Sequence, residues 1–127
     1  MENFLAGDLA IEARRDEDGP LVLTWRGQSH DRDPGQLLRP YFDLAVLEAE
    51  KTGRRIEMHF QHLDYFNSST ITALVRFIRT LMASRINLVV QFDARVRSQR
   101  LSFEALRPLE TQSPEITMKD ISAPDAE

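Results

Sequence analysis

The chain has 127 residues, 42% hydrophobic and 28% charged, with a formal net charge of -4 and no cysteine. That length makes one domain able to bury roughly two-thirds of its unfolded surface, and the acidic balance argues against a nucleic-acid backbone as partner. Without cysteine there is no disulfide framework, thiolate metal site or cysteine nucleophile. No apolar run approaches the ~20 residues of a membrane span. The first ten residues lack the basic start and long apolar core of a signal peptide, so a cytoplasmic location is expected.

Leu9 to Arg14 alternates as a half-buried strand, Asp16 to Pro20 carries the Asp-Gly turn signal, and Leu21 to Trp25 returns as a second strand. Gly27 to Gly35 is polar and loop-like. Asp33-Pro34-Gly35-Gln36 has helix-start chemistry, with Asp as cap, Pro at the first position and Gln completing a capping box. An apolar stripe of Leu37, Leu38, Tyr41, Leu44, Ala45 and Leu47 then runs toward Gly53, a candidate C-cap. Pro40 leaves two starts open, because inside a helix it deletes a hydrogen bond. The helix either begins at Pro34 and passes Pro40 with a kink, or begins at Pro40.

Ile56 to Gln61 alternates and leads into the most informative stretch, His62 to Met82. After a polar bend at Asn67-Ser68-Ser69-Thr70, the residues Ile71, Leu74, Val75, Ile78, Leu81 and Met82 share one face at helical period. Asn and Ser cap free amides at a helix start, and more of them stand here than capping needs. A hydroxyl cluster at that position favours an anion such as phosphate. Ile86 to Phe92 is the next strand. Arg95 to Arg107 is a basic amphipathic helix expected to end at Pro108, and Glu115 to Ile121 is a last edge strand. The expected order is ββαβαβαβ, a mixed sheet of four or five strands with helices on one face. A single domain over 1–121 and a disordered tail over 122–127 complete the reading.

The order of elements and the run Tyr65-Phe66-Asn67-Ser68-Ser69-Thr70-Ile71 together resemble the STAS domain of the anti-sigma factor antagonists. In that family an apolar strand ends in Asp-Ser-x-Gly before an apolar helix. Here Asn67 stands where Asp is usual and Thr70 where Gly is usual. Both departures resemble the SiaC-like branch of bacterial phosphoproteins, as does Gly27-Gln28-Ser29 before the first helix. The resemblance spans about Leu21 to Phe92 and makes Ser68 the phosphoacceptor. It implies a non-enzymatic partner switch, with a GHKL-type serine kinase, a PPM-type phosphatase and a target of the anti-sigma factor or diguanylate cyclase type. Asp64, Asn67, Ser69 and Thr70 would then form the switch surface. Arg95 and Arg97 would flank it if the Ile86–Phe92 strand lies beside the Ile56–Gln61 strand. No cofactor or metal is implied.

Two other readings bear on the same residues. A STAS-like accessory subunit of a transporter would keep the fold and lack phosphorylation. A serine hydrolase would use Ser68 with His59, His62 or Asp64, but Ser68 lacks a G-x-S-x-G elbow. Strict alternation along the strand also sends His59 and His62 to opposite faces, which equally disfavours metal binding by the pair.

Overall fold

The computed structural model describes residues 1–30 and 32–122. Its chain order is β1 (Phe4–Ala6), β2 (Leu9–Arg15), β3 (Leu21–Ser29), α1 (Pro34–Thr52), β4 (Ile56–Phe66), α2 (Ser68–Ala83), β5 (Leu88–Phe92), α3 (Arg97–Gln112) and β6 (Ile116–Asp120). The strands form one six-stranded sheet in the order β1-β2-β3-β4-β5-β6. β1, β2 and β3 pair antiparallel and β3 through β6 pair parallel. The expected mixed α/β class is therefore found, with six strands rather than four or five. The extra strand, β1, folds back on β2 through the two-residue loop Gly7-Asp8.

All three helices cover the same sheet face. Ile11, Leu23, Trp25, Met58, Phe60, Leu88, Val90, Ile116 and Met118 point from that face into one core with Phe42 and Ala45 of α1, Leu74 and Ile78 of α2, and Phe103 and Leu106 of α3. Aromatic rings bind the layers together. Phe60 lies 5.0 Å from Trp25 and 4.9 Å from Phe103 between ring centroids, and Phe42 stacks on Phe77 at 4.4 Å. The opposite face of the central strands carries Thr24, Glu57, His59 and Gln91, all partly exposed, which is why those strands alternate rather than run solidly apolar.

Some boundaries match expectation and others differ. α1 starts at Pro34, and Pro40 is accommodated within it. Asp33 caps it through Gln36 N–H at 3.4 Å, and Gly53 ends it in the left-handed conformation with its N–H on Ala49 O at 2.8 Å. α3 likewise continues past Pro108 to Gln112. There the burial of Leu109 with Phe103 and Leu106 offsets a missing backbone hydrogen bond. β3 extends through Gly27 to Ser29, where a loop was expected, because β2 pairs with it as far as Gly27 and β4 as far as Ser29. Ser122, expected to open a disordered tail, donates to Asp120 Oδ1 through its N–H at 3.0 Å and its hydroxyl at 2.6 Å. The rest of the predicted tail, 123–127, lies outside the described residues. None of the described helices is long and apolar enough to cross a membrane.

On α2, Ile78 is 1% exposed while the adjacent Arg79 faces solvent. Ile78→Ala should cost roughly 2–5 kcal/mol in chemical denaturation, and Arg79→Ala only a few tenths. Equal losses would mean the inner face of α2 is misassigned.

Candidate functional site

β4 is two residues longer than its partner requires. Its pairing with β3 shifts between Thr24↔His59 and Arg26↔His62 and again between Gly27↔Leu63 and Gln28↔Tyr65. Each shift places one extra residue in β4, a β-bulge that bends the strand and re-aims its side chains. The first bulge corrects the expectation for the histidines: His59 and His62 both lie on the sheet face away from the helices. His59 Nε2 sits 3.2 Å from Glu57 Oε1, and His62 is exposed. Among the described residues no group of three His, Asp or Glu side chains is arranged to hold a metal ion.

At its far end β4 pairs Phe66 with Ser29, and Asn67 N–H donates to Ser29 O at 3.0 Å. The chain then turns directly into α2. Ser68, Ser69 and Thr70, expected to form a bend before the helix, are its first turn. Asn67 Oδ1 accepts from Thr70 N–H at 2.9 Å and from the Thr70 hydroxyl at 2.8 Å. Thr70 Oγ1 lies 2.7 Å from Ser29 Oγ. Because the Thr70 proton is directed at Asn67, the Ser29 hydroxyl must donate to Thr70, giving a relay from Ser29 through Thr70 to Asn67.

That relay divides the four polar residues by role. Thr70 is 0% exposed and Ser29 3%, so Thr70 is no part of an accessible surface, contrary to the expectation for it. Its hydroxyl pins the end of β3 to the start of α2. Asn67 is half-buried and acts as the cap. Ser68 and Ser69 are exposed, and neither hydroxyl has a hydrogen-bond partner among the described residues. Asp64 and Tyr65, at the end of β4, are also exposed.

Of the two arginines expected to flank Ser68, Arg95 is engaged elsewhere. β5 does lie beside β4, but its pairing stops at His59↔Gln91. The first turn of α3 meets β4 at Phe60 and Leu63, whose carbonyls accept from buried Gln99 Nε2 at 2.5 and 2.8 Å. Gln99 Oε1 in turn accepts from Asp93 N–H at 2.8 Å. Arg95 grips Asp93 with Nε at 3.0 Å and Nη2 at 2.9 Å, and these hydrogen bonds hold the Asp93 carboxyl below its ordinary range. Arg97 is exposed, and no hydrogen bond or ion pair joins either arginine to the first turn of α2 among the described residues.

The cations near the serines come from elements that carried no such expectation. α1 and α2 pack with a cleft of about 590 Å³ between them, lined by Arg39, Asp43, Arg76 and Thr80 over Phe42 and Phe77. Beside it a smaller cleft of about 210 Å³ reaches the first turn of α2, with Arg32, Asp33, Ser69, Thr72 and Arg76 around it. The spacing Ser69, Thr72, Arg76 is legible as one helical face, but only once the helix is known to start at Ser68. Neither a family model nor a curated protein sequence matches the chain.

Proposed function

We propose that the chain is a non-enzymatic, phosphorylation-controlled partner switch with Ser68 as phosphoacceptor. One observation supports it above others. The Ser68 hydroxyl is exposed and unpartnered on the first turn of α2, while the capping work there is done by Asn67 and Thr70. A phosphate can therefore be added without dismantling the cap. A dianion at a helix N-terminus is also locally favourable. On this reading the unmodified surface around Asp64, Tyr65 and Ser68 binds a target, and phosphorylation releases it. The resemblance to STAS domains supplies the partner classes: a GHKL-type kinase, a PPM-type phosphatase and a target of the anti-sigma factor or diguanylate cyclase type, in the cytoplasm.

The direct test is incubation with the cognate kinase and ATP, followed by site mapping by mass spectrometry. Phosphate on Ser68 is expected, and its absence there would overturn the reading. The purified protein should also hydrolyse neither activated esters nor nucleotides above background. Turnover that disappears in Ser68→Ala would replace the switch with a serine hydrolase.

A further inference from the structure

We propose that Ser69 is a second phosphoacceptor, whose phosphate is gripped within the same chain by Arg32 and Arg76. The observation behind it is the 210 Å³ cleft, which Ser69 lines. Small-molecule pockets run to roughly 300–1,000 Å³, and this cleft of about 210 Å³ has room for a single phosphoryl group. Its donors are two guanidiniums and the hydroxyl of Thr72, the set that recognises a phosphate monoester.

Both guanidiniums are free to serve. Arg32 and Arg76 have no ion-pair partner among the described residues, as also holds for Arg14, Arg39, Arg79, Arg85, Arg97 and Arg100. Ser69, Thr72 and Arg76 occupy positions i, i+3 and i+7 of α2, one face of the helix. Arg76 lines the cleft with Ser69 and Thr72, and long helical side chains lean toward the helix N-terminus, the direction in which Ser69 lies. Arg32 approaches from the segment before α1. Among the described residues the carboxylate lining the cleft is that of Asp33, already engaged with Gln36 N–H at 3.4 Å. Ser68 does not line the cleft, and this separates the two adjacent serines.

The modification is an ordinary phosphoryl transfer from ATP on a serine kinase. A bond forms between Ser69 Oγ and the γ-phosphorus, the bond to the β-phosphate oxygen breaks, ADP leaves, and the hydroxyl proton passes to a base of the kinase. Once formed, the phosphate clamps the segment before α1 onto α2. The inference draws on the phosphoprotein reading for its kinase, while the clamp itself depends only on the geometry of the cleft.

The test installs phosphoserine at position 69, or at position 68 for comparison, by amber suppression in the full chain, and follows its titration by phosphorus NMR. Two facing guanidiniums should lower the second pKa of phosphoserine 69 by about one unit relative to phosphoserine 68. The double variant Arg32→Ala/Arg76→Ala, checked for folding by circular dichroism, should return it to the position-68 value. Identical titration at the two positions, or a shift that survives in the double variant, overturns the clamp. Phosphopeptide mapping of the protein recovered from its own cells should find phosphate on Ser69. Phosphate on Ser68 alone, or on neither serine, overturns the acceptor assignment. Phosphate on Ser69 without Ser68 would uphold this inference and overturn the Ser68 switch.

Discussion

Gly27→Ala should lower stability by at least about 3 kcal/mol, and the melting temperature by roughly 10 °C or more. Gly27 sits inside β3, opposite Leu9 on one side and Leu63 on the other, with φ at +86°. A β-carbon there would lie 2.0 Å from Asp8 O, an overlap that only a backbone shift relieves. That carbonyl also accepts from Gln28 N–H at 3.1 Å, so the shift would disturb the junction of three strands. Gly53→Ala is the control. Its φ is +68° but nothing lies within 4 Å of its would-be β-carbon, so it should cost only the ~1 kcal/mol of left-handed strain. The difference between the two isolates the close approach to Asp8, and equal losses by calorimetry would sink the argument.

The second large effect is on binding. Ser68→Asp should abolish target binding while leaving the melting temperature nearly unchanged, and Ser68→Ala should bind constitutively. The unmodified hydroxyl is small and neutral, so a partner can pack closely over the first turn of α2. Phosphorylation adds about -1.5 to -2 charge and three acceptor oxygens. That dianion must be desolvated for the same partner to approach. A loss of 3 kcal/mol is already more than a hundredfold in affinity, at about 1.4 kcal/mol per decade. Stability is spared because the cap rests on Asn67, Thr70 and Ser29. Ser69→Ala should remain phosphorylatable at Ser68. A pull-down in which Ser68→Asp and Ser68→Ala capture the target equally would rule the switch out.

How far the fold could be read from residues alone depended on whether the signal was local. Asp33 and Gly53 bracket α1 because capping is decided by side chains within one turn, and the apolar stripe of α2 finds Leu74, Ile78 and Leu81 of its inner face but not Ala73 and Phe77. β1 was missed because three residues carry no measurable period. The prolines misled at Pro108, where the burial of Leu109 outweighs a lost hydrogen bond. The bulges of β4 were invisible for a different reason. They arise from how β3 and β4 pair across 35 residues of sequence, and they reverse the inference that His59 and His62 diverge. At the site, the cluster Asn67 to Thr70 was legible as helix-start chemistry. Its division into buried prop and exposed hydroxyl needed Ser29, far off in the chain, and the role expected of Arg95 failed because Asp93 stands two residues before it.

The strand order also has a kinetic side. Each strand from β1 to β6 lies beside the one made just before it, so no later strand has to be inserted between two already paired. The antiparallel β1-β2-β3 meander can form from the first 29 residues through two short turns. Each following helix-strand unit then adds to the free edge left by its predecessor. Such a sheet closes only modest loops at every step, so the chain can assemble in the direction of its synthesis. At each stage the growing edge is the newest strand, while β1 stays the other edge throughout.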